Sequence, residues 1–228
     1  MNLTKKPARF FLVQKLSVSN KEAAHLIVQQ RLLVNGQPAQ VNQPIYETDE
    51  VTFDGQLLQE AKKCIYLACY KPCGIETTLN REIPDNLYCS FDIPEGVFPA
   101  GRLDKASEGL LLFTNDGALY QDIVHCKTLQ EKQYLVTVNK PLTEEVLKRL
   151  STGVKIMDKM TRPCLVKKMG DSEFQITLTE GRNRQIRRMC YKLGYEVVKL
   201  VRTRIINLQL GNLKPGEWRS VKKEDIYG

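Results

Sequence analysis

The sequence predicts an α+β protein in which a mixed, mainly antiparallel sheet is accompanied by few helices. Three observations lead to this class. Strand-like apolar segments dominate from residue 64 onward, the helical patterns between them are short, and two Asn-Gly or Asp-Gly pairs mark tight hairpins near the N-terminus. The 228 residues suffice for one or two domains with a buried core. We place the boundary between a small domain, residues 1–61, and a larger one, residues 62–228.

The first domain is predicted to contain two small helices followed by hairpins. Ser19 can cap the second helix, and Glu22 follows three residues later as in a capping box. The strand "RLLV" leads into the Asn-Gly pair at 35–36, and "EVTF" leads into the Asp-Gly pair at 54–55. Both pairs are strong signals for two-residue hairpin turns.

The second domain alternates long apolar strands with two helices. The strands are predicted in "CIYLACYKP", "LLLFTNDG", "KQYLVTVNK", "EFQITLTEG" and "EVVKLVRTRI". One helix has Thr143 as its cap and ends at Gly153, and the other runs from Asn183 to Gly194. The second helix places apolar residues at helical spacing toward the core, namely Ile186, Met189, Cys190 and Leu193.

The positive charge of the chain is concentrated in its second part. The formal net charge is +8, yet residues 1–61 carry six Lys/Arg and six Asp/Glu. Residues 181–204 hold eight Lys/Arg against one acid, Glu196. A cluster of this kind is often only a solvated basic face. Its extension over the neighbouring strand favours a polyanionic partner, because arginines near a helix N-terminus suit phosphate binding.

The composition excludes several other classes of protein. Seven cysteines form no Cys-x-x-Cys pair and only two histidines are present, so a zinc site is not expected. No apolar run approaches the ~20 residues of a membrane span, and no signal-peptide pattern opens the chain. We expect a cytoplasmic protein with free thiols and no membrane association.

Three candidate residues have ordinary structural interpretations when each is taken alone. Asp104, in a predicted loop that also contains Gly101, would ordinarily be interpreted as a turn former. Tyr134 reads as a strand residue that packs on its neighbours, and Leu200 reads as core.

Taken together, the segments around these residues resemble the pseudouridine synthases, and within them the RsuA family of RNA-modifying enzymes. "GRLDKASEGLLLFTNDG" is similar to the catalytic-loop motif of that family, and "YKPCGI", "EKQYLVTV", "GRNRQIRRM" and "VVKLVRTRI" follow the expected order. The last two blocks and "GVKI" look most like the RluF type. The resemblance covers residues 62–228 and implies a pseudouridine-synthase-like fold. Residues 8–60 resemble the alpha-L (S-four-like) RNA-binding module, with departures at 20–21 and at Gln30.

The resemblance assigns roles in catalysis to four residues. It implies that Asp104 is the catalytic carboxylate, acting as a nucleophile on the sugar or the base, or as a base toward a sugar proton. Burial disfavours an ionised carboxylate, so an opposite charge is needed, and Arg187 is the expected salt-bridge partner. Tyr134 would stack on the uracil and has been proposed as a proton acceptor. Leu200 would close the floor of the pocket.

Five further arginines are predicted to bind RNA. A uridine in structured RNA must leave its stack before it can react, and Arg102 could occupy the vacated space. The phosphate contacts are predicted for Arg102, Arg184, Arg188, Arg202 and Arg204.

The sequence therefore predicts a monomeric synthase that converts a uridine of ribosomal RNA without a cofactor or metal. The RluF-like blocks favour 23S rRNA as the substrate, either free or in a pre-ribosomal particle. The alternatives are a non-catalytic rRNA-binding protein with a decayed synthase domain, and a synthase acting on 16S rRNA or tRNA. An enzyme for free nucleosides is disfavoured by the basic patch and by the appended RNA-binding module.

Overall fold

The computed structural model describes residues 6–125 and 130–228 of the chain. Two compact units are present. One contains the chain up to Ile65 together with Thr114–Gln121, and the other contains Tyr66–Phe113 and the chain from Asp122 onward. The division into functional domains at residues 61 and 62 stays a prediction.

The first unit consists of two short helices and short strands. Its elements are β1 (Lys6–Pro7), α1 (Ala8–Leu16), α2 (Asn20–Val28), β2 (Leu32–Val34), β3 (Gln37–Pro38), β4 (Pro44–Ile45), β5 (Val51–Phe53) and β6 (Gln56–Gln59). Strands β3, β2, β5 and β6 form an antiparallel sheet in that order, and β1 pairs with β4. The predicted order of two helices followed by hairpins is confirmed.

Local chemistry explains the turns and caps of this unit. Ser19 Oγ accepts a hydrogen bond from the Glu22 backbone N–H at 3.2 Å, so the predicted N-cap is confirmed. Asn35 and Asp54 occupy the left-handed region, with φ of 51° and 49°. Both lead their hairpin turns, as the Asn-Gly and Asp-Gly pairs predict.

The segment 114–121 joins the first unit through specific contacts. Asn115 Oδ1 accepts from the Ile65 N–H at 2.7 Å, and Asn115 Nδ2 donates to the Lys63 carbonyl at 2.9 Å. A Cβ at Gly117 would lie 2.0 Å from the Tyr46 ring. Only glycine allows this approach, which the sequence analysis did not anticipate.

The remaining elements extend from β7 to the C-terminal helix. They are β7 (Tyr66–Lys71), a 3₁₀ turn (Leu87–Cys89), β8 (Phe98–Pro99), β9 (Glu108–Thr114), α3 (Gly117–His125), β10 (Lys132–Val138), α4 (Glu144–Thr152), β11 (Lys155–Ile156), β12 (Lys159–Met160), β13 (Leu165–Gly170), β14 (Glu173–Leu178), α5 (Gln185–Lys192), β15 (Val197–Ile205), β16 (Leu208–Gln209), β17 (Trp218–Ser220) and α6 (Glu224–Tyr227).

A large mixed sheet forms the centre of the second unit. Within the described residues it has nine strands, in the order β13-β14-β10-β15-β9-β7-β17 with β8 beside β9 and β16 beside β15. The ladders β13–β14, β14–β10, β10–β15 and β7–β17 are antiparallel, whereas β9 and β15 pair in parallel. The predicted α+β class with a mainly antiparallel sheet is confirmed.

The helices of this unit bury the faces that their spacing predicts. Thr143 Oγ1 caps α4 by accepting from the Val146 N–H at 3.3 Å, and Gly153 ends that helix. Helix α5 begins at Gln185 rather than Asn183, because Arg184 has a left-handed φ of 51°. Its apolar face packs into the core beneath the sheet, with Ile186, Met189 and Cys190 buried and Leu193 half-buried.

The six described cysteines are unpaired, in agreement with the predicted free thiols, and Cys126 lies outside the described residues. Burial raises the pKa of Cys69 and Cys190 to about 12, so both stay protonated near neutral pH. In the part of the chain that the structure describes, no helix has the length and apolarity that crossing a membrane requires.

Candidate active site

Three neighbouring strands bring the predicted catalytic residues together. Strand β9 begins opposite Val201 of its parallel neighbour β15, so the loop that precedes β9 lies beside Leu200. On the other side of β15, β10 places Tyr134 opposite Arg202. The loop containing Asp104 therefore meets the middle of the sheet.

The close pairing of β9 and β15 depends on one glycine. A Cβ at Gly109 would lie 2.4 Å from the Arg202 carbonyl oxygen, and φ at Gly109 is +105°. Any other residue would separate the two strands, or strain the backbone, at the end of the loop that contains Asp104.

A cavity of about 390 Å³ opens at this meeting point, and Asp104, Tyr134 and Leu200 all line it. Asp104 and Tyr134 are half-buried, and Leu200 is only 6% exposed. A planar base could lie on the aromatic ring and the apolar floor with the carboxylate at its edge. The structure assembles these three residues as the sequence predicts, and their catalytic roles remain predictions.

The backbone of the loop that contains Asp104 is held from both sides by one guanidinium. Arg202 Nη1 donates to the Arg102 carbonyl at 3.1 Å, and Arg202 Nε donates to the Leu110 carbonyl at 2.6 Å. Asp104 lies between these two carbonyls in the chain. Arg202 therefore fixes the positions at which the chain enters and leaves the loop.

Further hydrogen bonds hold the residues on either side of the carboxylate. Thr77 Oγ1 donates to the Leu103 carbonyl at 2.6 Å and accepts from the Leu103 N–H at 3.1 Å. The Gly74 N–H donates to the Lys105 carbonyl at 2.8 Å. Because each neighbour of Asp104 is fixed in this way, the carboxylate is presented by a preorganised backbone.

The predicted ion pair between Arg187 and Asp104 is not formed. Both side chains are described, and no ion pair within 4.0 Å joins them. Arg187 Nη1 donates to the Val197 carbonyl at 2.9 Å and Nη2 to the Ala106 carbonyl at 2.7 Å. Burial and the neighbouring Arg184 charge lower the pKa of Arg187, and the Asp104 charge opposes them. Arg187 therefore acts on Asp104 through the loop backbone and through the electric field.

Two of the five predicted RNA-binding arginines are committed to internal contacts. Arg202 is 2% exposed, because β15 is a central strand and this side chain turns inward, so it is not part of the exposed basic surface, and its RNA contact stays a prediction. Arg204 pairs with Glu131 at 2.8 Å and also bonds to the Ile206 carbonyl, so a phosphate would have to displace these contacts, and its RNA contact stays a prediction.

Three predicted RNA-binding arginines remain at the surface of this unit. The Arg102 side chain is 77% exposed, and its nearest acid, Glu76, lies 4.0 Å away. Arg184 is exposed at the edge of the cavity. Arg188 is half-buried and donates to the backbone carbonyl and side-chain oxygen of Asn183.

We expect the salt dependence of RNA binding to separate these groups. Arg102→Gln and Arg184→Gln should each reduce the slope of log affinity against log salt by roughly 0.7–0.9, the contribution of one phosphate contact. Arg204→Gln is the control and should leave the slope unchanged. Filter binding over a range of salt concentrations measures all three. An equal loss of slope in the control would show that the Arg204 ion pair opens to bind phosphate.

A buried lysine beside the catalytic loop was not identified from the sequence. Lys71 is 0% exposed, and its Nζ donates to the carbonyls of Pro72 at 2.8 Å and Ile75 at 2.7 Å. Burial lowers its pKa to about 8; the charge of Arg202 adds to the shift, and that of Asp104 opposes it. The "YKPC" block was the available signal, but it assigned this lysine no role.

The buried Lys71 predicts a rise of stability with pH. The unfolded lysine keeps its ordinary pKa near 10.5. Between about pH 8 and 10.5 the unfolded chain therefore binds more protons than the folded chain, and the free energy of unfolding rises with pH. Relative to Lys71→Met, the wild-type unfolding free energy should increase by about 2 kcal/mol from about pH 8 to 9.5, at 1.36 kcal/mol per unit. Urea unfolding at several pH values tests this. Parallel pH curves for the two proteins would contradict it.

Comparison with known proteins shows that the chain is an enzyme of RNA modification and specifies its family. The family model for RNA pseudouridylate synthase matches residues 65–192. The chain belongs to this family and is an RNA pseudouridine synthase, an isomerase.

The similarity to individual relatives extends over nearly the whole chain. It is 42% identical to the dual-specificity RNA pseudouridine synthase RluF of Escherichia coli K12, over 91% of this chain and 72% of that protein. It is 32% identical to the ribosomal large subunit pseudouridine synthase B of Bacillus subtilis 168, over 91% and 88%. A crystal structure of a pseudouridylate synthase, 30% identical, superimposes with a TM-score of 0.69 over 96% of this chain and 97% of that one. The predicted RsuA-family, RluF-like membership is confirmed.

Proposed function

We propose that this synthase converts one specific uridine of large-subunit (23S) ribosomal RNA into pseudouridine, with Asp104 as its catalytic carboxylate. The observation that carries the proposal is the position of Asp104, which lies on a rigidly held loop in one cavity with Tyr134 and Leu200. The RNA class is supported by the Bacillus subtilis relative, whose name specifies the large ribosomal subunit.

The chemistry is an isomerisation and balances without a co-reactant. The bond from uracil N1 to ribose C1′ breaks, a new bond forms from uracil C5 to C1′, and the hydrogen of C5 leaves to solvent as a proton while N1 gains one. Asp104 can assist as a nucleophile on the sugar or the base, or as a base toward a sugar proton. Each route requires a carboxylate held at a fixed position, as the bonded loop provides.

The neighbouring residues take supporting roles in this proposal. Tyr134 is proposed to stack on the uracil and to accept a proton, and Leu200, which lines the same cavity, is proposed to close its floor. Arg187 holds the loop through the Ala106 carbonyl and supplies positive field toward Asp104. The exposed Arg102 occupies the space that the flipped uridine leaves in the RNA.

The first 61 residues are proposed to be an alpha-L RNA-binding module that contributes to the choice of target. Six basic residues balance six acidic ones there, so we assign most phosphate binding to the catalytic part of the chain. We further propose that the enzyme acts as a cytoplasmic monomer, on free rRNA or on a pre-ribosomal particle.

Release of tritium tests the proposed function directly. Unmodified 23S rRNA fragments labelled with tritium at uridine C5 should lose label to water when the purified protein is added, without cofactor and in the presence of chelator. Fragments of 16S rRNA, tRNA and free uridine should retain it, since binding energy from the rest of the correct RNA is needed to position the base. Release from 16S rRNA or tRNA alone would reassign the substrate. Binding without release from any RNA or precursor particle would favour a non-catalytic RNA-binding protein.

A further inference from the structure

A second cavity of about 420 Å³ lies beside the active site in the same unit. It is formed by α5 and by the β11–β12 hairpin, whose turn contains Met157. The volume is within the range of about 300–1,000 Å³ found for small-molecule sites. The sequence analysis assigned roles to three arginines that line this cavity, Arg184, Arg187 and Arg188, but it did not predict a second cavity.

The walls of the second cavity present stacking groups to solvent. Tyr191 of α5 is 79% exposed and Met157 is 59% exposed, although both are large and apolar. The floor beneath them is rigid, since Ile156 and Tyr195 are buried and the Tyr195 hydroxyl donates to the Pro141 carbonyl at 3.0 Å. An exposed aromatic face beside a polarisable thioether suits a planar nucleobase.

The charge of the second cavity favours a phosphate-bearing ligand. Arg184, Arg187, Arg188 and Lys192 line it, against one carboxylate, Glu196. Arg187 and Arg188 are hydrogen-bonded to neighbouring groups of the protein. Arg184 and Lys192 are exposed, and neither side chain has a hydrogen bond or ion pair with another described residue. These two cations are available to an incoming anion.

Arg184 connects this cavity to the active site. Arg184 is exposed and lines both cavities. Its backbone has a left-handed φ of 51°, a conformation that is costly for a residue other than glycine. Because one phosphodiester separates neighbouring nucleotides in RNA, a phosphate bound by Arg184 would have one nucleotide on each side.

We propose that the second cavity binds the base of an unpaired nucleotide next to the target uridine, stacked on Tyr191, with the intervening phosphate on Arg184. The inference rests on the proposed function, since the neighbour must belong to the same RNA as the uridine in the active site. It assigns Tyr191 and Met157 to sequence selection, because the cavity accepts a base only where the RNA can unstack two adjacent nucleotides.

Kinetics of tritium release test the site with three variants. Tyr191→Ala should raise the protein concentration that half-saturates single turnover of the rRNA fragment by about tenfold, within the ~5- to 150-fold expected for losing one stacked base. The rate at saturation should stay within about twofold of wild type. Tyr191→Phe keeps the ring and should behave as wild type. Tyr88→Ala, which removes an exposed tyrosine outside the cavity, should also leave half-saturation unchanged.

An abasic nucleotide identifies which neighbour occupies the cavity. An abasic site is placed in turn on each side of the target uridine. At the neighbour that occupies the cavity it should weaken RNA binding by wild type about tenfold and leave binding by Tyr191→Ala unchanged, because the variant has already lost the stacking partner. Two outcomes would overturn the site and leave the proposed function intact. In the first, wild type is active and Tyr191→Ala half-saturates at the same protein concentration. In the second, the abasic site weakens binding equally in wild type and in Tyr191→Ala. If wild type binds rRNA without turnover, the proposed function fails. Filter binding of wild type and Tyr191→Ala to the intact and abasic RNAs then still tests whether the cavity binds a base.

Discussion

Asp104→Asn is expected to reduce turnover to below about one per cent of wild type while leaving the fold and the RNA affinity unchanged. The amide has almost the same shape as the carboxylate but is neither a nucleophile nor a base. No described side chain bonds to the Asp104 carboxylate, so the exchange removes no structural contact. The unfolding midpoint should move by no more than about 1–2 °C.

The measurement combines tritium release, filter binding and thermal unfolding on the same preparations. Asp92→Asn, an exposed aspartate of the same unit, is the matched control and should retain full activity. If Asp104→Asn keeps more than a few per cent of the wild-type rate, the carboxylate is not the catalyst. If instead the variant unfolds at markedly lower temperature, Asp104 contributes to the fold, and the loss of activity is no longer specific.

Local features of the chain were predictable because their chemistry involves residues close in sequence. The Ser19 and Thr143 caps and the turns at 35–36 and 54–55 depend on neighbours within three residues, and all are present. The juxtaposition of Asp104 with Tyr134 required the resemblance to a known family, since periodicity alone does not specify which strands pair.

The fate of the arginines was not predictable from composition. Of the eight Lys/Arg in residues 181–204, six are engaged with other groups of the protein, namely Arg182, Arg187, Arg188, Lys199, Arg202 and Arg204. Arg202 bonds to carbonyls 92 and 100 residues away, through a strand pairing that no local pattern encodes. The number of basic residues in this part of the sequence is therefore larger than the number whose side chains are free of contacts within the protein.

The same long-range organisation concealed the support of the catalytic loop. Thr77 lies 26 residues before Leu103, in a segment without regular structure, and just outside the "YKPCGI" block, so the sequence analysis gave it no role. Yet its hydroxyl satisfies both the N–H and the carbonyl of Leu103, the residue directly before Asp104, the proposed catalytic carboxylate. The position of Asp104 thus depends on a side chain that does not touch the substrate in our proposal.

Thr77→Val is expected to lower the rate at saturating protein by about 100-fold, the effect of displacing a catalytic group by about 1 Å. Valine has nearly the shape of threonine, but it leaves two buried backbone groups of Leu103 without a partner. The unfolding free energy should fall by about 2–6 kcal/mol, at about 1–3 kcal/mol for each of the two unsatisfied groups. Thr77→Ser keeps the hydroxyl and loses one methyl group, so it should cost only about 1 kcal/mol and retain most of the rate.

The contrast between the two Thr77 variants separates positioning from stability. Single-turnover tritium release is measured at a temperature where urea unfolding shows each variant more than about 99% folded, a fraction that needs only about 2.7 kcal/mol of stability. Under that condition a merely structural role predicts equal rates for valine, serine and wild type. A Thr77→Val rate within twofold of wild type would show that Arg202 and Arg187 suffice to hold the loop. A slow valine variant beside a fast serine variant would assign the positioning of Asp104 to the Thr77 hydroxyl, through its two bonds to Leu103.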